Sequence, residues 1–593
     1  MSKKKHPTRP QKPNIAESSA QAQALSAQGR WQEACRAWRN VVRQDGRNAD
    51  AQANYGLALA HAGQTAEAVE AYGAALQLGL PEDEVLVGWG IAFGLREQYG
   101  IAQENFENAV ARNPSNLRAW SNLVLVYVRL GLTQRALEAA EHVLAIDPDD
   151  ATTLSSLGTL CKDSALPDQA IAWFRRAVAV KPNDLTDHSN LMWAMLHSDT
   201  VSPGDIVAEG RHFESRVLQQ AAAAPPRQPP TSTSTSTKDG KLRIGWVSGD
   251  LRNHAVGLFV IPMLELFDGE RFESIVYSNS HVRDEMSQRA QAAVSLWRDV
   301  ADLDDAQLAD AIRRDRVDIL VDLAGHTAGN RLAAFARKPA PIQVTWLGYP
   351  GTSGLSAMDY ILVPPDPVLT SGNWCVETPI ALPDCYCARD PSQIPNRSLR
   401  NQKDAVTFGC LNNFSKVSPS AVETWANILG KVADSRLVLV AMGGNDRELV
   451  EDIRNRFGAF GIDSNRIIIR GRMSRTDYFS AYNDIDLALD PFPFNGGTTG
   501  VDSLCMGTPF VTLEGQALHS RMGANLLRAV GLHKLIAATR EDYEKKAVAL
   551  AENGEALTRL KNELREKMTD NPLMEVRRFV RGLEEVFQRM TPT

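Results

Sequence analysis

The chain is expected to fold as an all-α helical repeat array followed by an α/β region of two doubly wound parallel-sheet lobes. Three observations lead there. Alanine recurs every 34 residues through the first third of the chain. A Pro/Ser/Thr-rich stretch occupies residues 221–240. Beyond it, short apolar runs alternate twice over with helical segments, the pattern of successive βαβ units.

The repeat comes first. Alanine stands at Ala34, Ala68, Ala102, Ala136 and Ala170, and four residues later come Trp38, Tyr72, Phe106, Ala140 and Phe174. Three further on are Val41, Ala75, Ala109, Val143 and Ala177. Gly29, Gly63 and Gly131 sit five residues before their alanines, and Pro114, Pro148 and Pro182 close three of the units. A small residue lets paired helices approach, an aromatic residue four positions on shares its face, and proline stops the second helix. The pattern resembles the tetratricopeptide repeat, a helix–turn–helix unit of the same period. It runs from about Ala20 to Pro182, with a half-repeat around Leu191–Leu196 as its cap. Residues 1–19 read as a disordered basic tail, 20–200 as the array, and 201–240 as a connecting helix and linker. Residues 221–240 carry no large apolar side chain, so they cannot bury enough to fold. An array of this kind presents a concave groove suited to an extended polypeptide, so protein or peptide acceptors are the expected partners. Scaffolding or homodimerisation is the other use.

The first α/β lobe is placed at 241–398, with strands at Leu242–Val247, Ser274–Tyr277, Val317–Leu323 and Ile342–Trp346. Helical segments lie between them at Val256–Phe267, Asp305–Arg314 and Arg331–Arg337. The second lobe is placed at 399–593, with strands at Val406–Cys410, Leu437–Ala441, Arg466–Ile469, Leu487–Leu489 and Phe510–Thr512. Ligands of such sheets bind where strand ends face the cleft. No G-x-G-x-x-G follows the first strand, which disfavours a dinucleotide oxidoreductase.

Composition narrows the function classes. The 593 residues are 44% hydrophobic and 23% charged, an ordinary globular balance, and the net charge of −7 gives no drive toward nucleic acid or anionic lipid. No run of about 18 apolar residues suggests a membrane span, and the basic opening lacks the apolar core of a secretory signal. The seven cysteines are scattered and odd in number, which reads as reduced thiols and a cytoplasmic location.

The richest segment is Asp490-Pro491-Phe492-Pro493-Phe494-Asn495-Gly496-Gly497-Thr498-Thr499-Gly500-Val501-Asp502. A strand feeds a Gly/Thr turn and a helix is expected to begin near Thr499. Amides freed at a helix start, with glycines that let a ligand approach, suit a diphosphate, although an N-cap turn without ligand explains the residues equally well. Lys416, in Asn412-Asn413-Phe414-Ser415-Lys416, follows the first strand of the second lobe and could neutralise that diphosphate. His254, in Ser248-Gly249-Asp250-Leu251-Arg252-Asn253-His254, holds the matching place in the first lobe and could act as acid/base or orient an acceptor. His326 is a weaker candidate of the same kind.

Trp346-Leu347-Gly348-Tyr349-Pro350-Gly351-Thr352-Ser353-Gly354, preceded by Pro339-Ala340-Pro341-Ile342-Gln343 and followed by Met358-Asp359-Tyr360, is similar to the signature of the protein O-GlcNAc transferase family. Asn253-His254, the Lys416 segment and GGTTGVD fall in that family's order. The resemblance implies an all-α tetratricopeptide repeat superhelix followed by an α/β GT-B fold with two Rossmann-like lobes. It further implies an inverting, metal-independent glycosyltransferase with no cofactor, moving a sugar from a nucleotide-sugar donor, foremost N-acetylglucosamine from UDP-GlcNAc, to Ser/Thr of proteins. In its terms His254 and Lys416 are catalytic, the lysine stabilising the leaving diphosphate. Thr498, Thr499 and Asp502 match phosphate- and ribose-binding positions, and Leu347-Gly348 the wall near the sugar. Asn413 stands where many animal members carry glutamine. Gly497 replaces a histidine, Arg475 a lysine, and Tyr478 a histidine that stacks on uracil. These departures leave other donors open: GDP-fucose onto Ser/Thr, or UDP-glucose onto Asn. A degenerate, non-catalytic scaffold is the remaining alternative.

Overall fold

The computed structural model describes residues 14–223, 240–395, 405–442, 444 and 447–591. It divides into two compact units, one ending at Leu157 and the other running from Gly158 to Thr593.

The first unit is helical throughout. Its first helix, Ile15–Ala27, begins inside the segment read as tail. Ala34, Ala68, Ala102 and Ala136 are fully buried, as are Val41, Ala75, Ala109 and Val143. The period reflects direct fitting of ring to backbone. A Cβ on Gly90 would strike the Phe106 ring at 2.5 Å, and one on Gly56 would meet Tyr72 at 2.9 Å. The turns carry a second regularity. Gly29, Gly63, Glu97 and Gly131, followed by Ala165 in the second unit, all adopt positive φ, 34 residues apart in the chain. Glu97 and Ala165 accept the left-handed turn without glycine, which normally costs about 1 kcal/mol or more, because the flanking helices fix the geometry.

The second unit opens with the last repeat helices, Pro167–Val180, Leu185–Met195 and Pro203–Ala223, so the compact unit starts well before residue 241. The final helix enters the segment read as linker as far as Ala223. Residues 224–239 of that linker, the lobe boundary at 398/399, and the first thirteen residues of the tail lie outside the described residues.

Two all-parallel sheets follow. The first comprises β1 (Leu242–Ser248), β2 (Phe272–Ser278), β3 (Leu296–Asp299), β4 (Ile319–Asp322), β5 (Ile342–Thr345), β6 (Tyr360–Val363) and β7 (Thr378–Ala381), in the order β3-β2-β1-β4-β5-β6-β7. The second comprises β8 (Thr407–Asn413), β9 (Arg436–Val440), β10 (Ile467–Arg470), β11 (Leu487–Leu489), β12 (Phe510–Leu513) and β13 (Ile536–Ala537), in the order β10-β9-β8-β11-β12-β13. The order reverses between β1 and β4 and between β8 and β11, the two points where such sheets receive ligands. The C-terminal helix Val576–Met590, assigned by sequence to the second lobe, packs on the first instead. Phe587 lies 5.8 Å from Trp246 and Phe579 stacks 5.9 Å from Trp346, ring centroid to centroid. Its apolar stripe of Phe579, Val580, Leu583, Val586 and Phe587 is buried there.

Candidate functional site

Each predicted chemical group sits just beyond a switch-point strand. His254 follows β1, Lys416 follows β8 on the short turn Phe414–Lys416, and the Gly/Thr turn follows β11. Their side chains and backbones meet in one open cleft, whose lining includes His254, Leu347, Gly348, Lys416, Gly497 and Thr498.

On the first-lobe wall, His254 is the N-cap of helix Ala255–Leu264, its Nδ1 accepting from the Val256 amide at 3.4 Å. That contact assigns the ring proton to Nε2. Partial burial lowers the imidazole's pKa, opposed by Asp250, whose Oδ1 lies 3.7 Å from Nδ1, so the ring favours its neutral form. Leu347 holds a φ of +75°, a strained backbone for a branched side chain, and its amide donates to Tyr386 Oη at 3.0 Å. Gly348 packs so tightly on the Leu323 carbonyl that no Cβ fits.

The signature loop is anchored from below. Buried Glu377 accepts from the Ser353 amide at 2.6 Å and from Thr352 Oγ1 at 2.7 Å. Tyr349 Oη donates to the Met192 carbonyl at 3.2 Å, and Gly354 meets Gly210 backbone to backbone. His326 belongs to this anchor and does not line the cleft. Its Nε2 lies 3.0 Å from the Ser353 carbonyl and its Nδ1 3.1 Å from Ser189 Oγ, and burial lowers it to about 3.

On the opposite wall, helix Thr498–Cys505 starts one residue earlier than expected, with Gly497 as N-cap and no side chain covering its first amides. Such uncapped amides form a positive helix end. Asp490 shapes the turn: its Oδ1 accepts from the Gly496 amide at 2.8 Å and its Oδ2 from Thr512 Oγ1 at 2.6 Å. Burial raises that carboxyl to about 7. Lys416 lies half-buried with Nζ 3.5 Å from the Asn495 carbonyl, and desolvation lowers it to about 8 against the pull of Asp490.

The remaining predicted residues fall elsewhere. Thr499 turns its hydroxyl to Asn412 Oδ1 at 2.6 Å, not to the cleft. Asp502 is buried and tied to Tyr478 Oη at 3.2 Å and to Arg389 at 3.4 Å. Tyr478 also bonds Tyr482 Oη at 2.9 Å, so its phenol is spoken for. Arg475 is exposed and donates to the Gln393 carbonyl at 2.8 Å. Asn413 is exposed, capping Ser415, while its neighbour Asn412 points inward. Arg389, 1% exposed, Phe494 and Trp193 were not read from sequence. Phe494 was visible within the Gly/Thr segment, but nothing local says what its ring touches. Among the described residues no cluster of three or more His, Cys, Asp or Glu side chains could hold a metal ion, and no helix is long and apolar enough to cross a membrane.

Two parallel-sheet lobes with their switch points on one cleft, preceded by helical repeats, define a repeat-bearing glycosyltransferase fold. The chain belongs to glycosyl transferase family 41, whose model matches residues 219–372 and 392–583, and the tetratricopeptide repeat model matches 19–81 and 88–151. It is 34% identical over 424 residues to a probable UDP-N-acetylglucosamine–peptide N-acetylglucosaminyltransferase SPINDLY of Hordeum vulgare, covering 69% of this chain and 44% of that protein. It is 32% identical over 395 residues to the probable enzyme of the same name, SEC, of Arabidopsis thaliana, covering 63% and 40%. The chain thus spans less than half the length of these relatives. An O-GlcNAc transferase variant of Thermobaculum terrenum superposes with a TM-score of 0.77 at 31% identity, covering 86% of this chain and 98% of that one.

Proposed function

We propose that this chain is an inverting protein glycosyltransferase that moves a sugar from a nucleotide-sugar donor, UDP-GlcNAc foremost, to Ser or Thr of acceptors held by the repeat array. The observation that carries the reading is the convergence of Lys416 and the uncapped start of helix Thr498–Cys505 on the cleft that also holds His254. The names of the relatives support the donor and the acceptor class.

In this reading the acceptor hydroxyl attacks the anomeric carbon from the face opposite the nucleoside diphosphate. The bond from that carbon to the leaving phosphate oxygen breaks with its electron pair on the diphosphate. Lys416 and the amides of Gly497 and Thr498 receive the developing charge, so catalysis rests on positioning and preorganised electrostatics. His254, with Nδ1 engaged by the Val256 amide, presents an Nε2–H donor that orients the reactants. The hydroxyl proton passes to a phosphate oxygen of the donor. Leu347 and Gly348 wall the sugar, and Asp502, Tyr478 and Arg475 lie toward the nucleoside. Asn412, rather than the exposed Asn413, holds Thr499 at the helix start. The chemistry draws on no cofactor or metal, and the protein works in the cytoplasm.

Intact-mass analysis of acceptor peptides incubated with UDP-GlcNAc, UDP-glucose and GDP-fucose tests the reading. A gain of one N-acetylhexosamine, removable by β-elimination, is expected. A deoxyhexose adduct, an Asn-linked hexose, or no adduct with any donor overturns it.

A further inference from the structure

The lysine in the cleft feels Asp490 only at longer range, without a paired carboxylate. Among the described residues Lys416 makes no ion pair, and its hydrogen bond to the Asn495 carbonyl is long at 3.5 Å. Its organised neighbour is an aromatic face: Nζ stands 4.2 Å from the centroid of the Phe494 ring. That ring is itself held. His197 stacks on it at 4.6 Å and 15°, and Trp193 flanks it at 5.6 Å. Both come from helix Leu185–Met195 and the turn that follows, and His197 Nδ1 lies 2.9 Å from the Trp193 carbonyl.

We propose that Phe494 is a positioning residue for Lys416, its ring face, fixed by His197 and Trp193, holding the ammonium in the cleft for the departing diphosphate. The proposal rests on the reading of the cleft as a sugar-nucleotide site. A carboxylate at this distance would neutralise the lysine and compete with the ligand. An aromatic face attracts the cation through its quadrupole and supplies no counter-charge, so the ring itself does not compete with the leaving group for the lysine. His197 suits the role because burial holds it neutral, lowered to about 3, and its stack adds no positive charge to the ring. The other groups facing Lys416 are Asp490, which favours the ammonium, and Cys410, while His519, held neutral by burial, lies 6.1 Å from the Phe494 ring. Across the cleft stand Asp250, Arg252 and His254.

The test reads Lys416 directly. The rate of its modification by an amine-reactive label is followed against pH in ligand-free full-length protein, by peptide mass spectrometry. Donor turnover is measured alongside from pH 6.5 to 9.5. In Phe494→Leu the lysine's pKa falls by roughly half to one unit, and the alkaline limb of kcat/KM moves down with it. Phe494→Tyr restores both. Pentafluorophenylalanine at 494 keeps the shape and reverses the quadrupole, so it reproduces the Leu shift and covers the case in which Leu lowers Tm too far to read. An unchanged labelling pKa in the Leu and fluorinated proteins overturns the proposal, as does a Tyr variant that behaves like Leu. A shifted labelling pKa in a chain that turns over no sugar nucleotide keeps the lysine–ring coupling and overturns the functional reading instead.

Discussion

Removing the Lys416 ammonium isolates the electrostatic part of the mechanism. A unit charge about 4 Å from a diphosphate oxygen, at an effective dielectric of about 20, contributes ~4 kcal/mol. That corresponds to about 10³ in rate, the upper end of what one lost charge-stabilising contact costs in measured cases, on the order of 10²–10³. With a pKa of about 8, Lys416 carries its charge in most molecules at pH 7, so nearly the whole effect is at stake there. Lys416→Ala should therefore lower kcat by 10²–10³ at saturating donor and acceptor. It should leave Tm within a few degrees, because no ion pair is broken and a desolvated cation is removed. Lys416→Arg keeps a charge with different reach and should fall between the two. The assay is product mass against time at pH 7, with a melting scan of each protein. Turnover of Lys416→Ala within tenfold of wild type would refute the electrostatic argument, whatever its effect on donor affinity.

Three further outcomes follow from the same geometry. Because desolvation lowers Lys416 to about 8, its charged form persists below that pH and is lost above it, so kcat/KM should decline as pH rises through about 8; in Lys416→Arg that limb should move beyond the accessible range, as a pH–rate profile will show. Gly354→Ala puts a Cβ 2.5 Å from Gly210 Cα at a φ of +77°, so Tm should drop by at least ~5 °C; an unchanged melting curve would show that the two backbones separate freely. Asp502→Ala strands the buried Arg389 guanidinium, a loss of about 3–5 kcal/mol by urea unfolding, and the double variant with Arg389→Met should recover most of it.

How far the sequence could be read follows from the reach of each interaction. The repeat was legible because one contact, small residue against aromatic ring, recurs at a fixed interval. The left-handed turns at Glu97 and Ala165 were not, since the flanking helices impose a conformation their side chains do not favour. Most buried central strands announced themselves as apolar runs, though β6, Tyr360–Val363, did not. Among the edge strands β10 was read, as Arg466–Ile469, but β3 and β13 were not: β3 reads Leu-Trp-Arg-Asp and β13 has two residues. At the site, topology placed His254, Lys416 and Thr498 at the cleft, but it could not tell them from His326, which follows β4 and turns away into the loop anchor. Side-chain direction needed more. Register shifts between Cys410 and Asn413, and that irregularity turns Asn412 inward to Thr499 and leaves Asn413 in solvent. In a strand one residue of slip exchanges the two faces, so no pattern of residue types could have chosen between adjacent asparagines. Trp193 and His197 lie hundreds of residues from Phe494 in sequence and meet it only because helix Leu185–Met195 is built into the catalytic unit. The lysine was legible as a charge, but what keeps that charge unneutralised is a tertiary fact, and the Phe494 variants are where it can be measured.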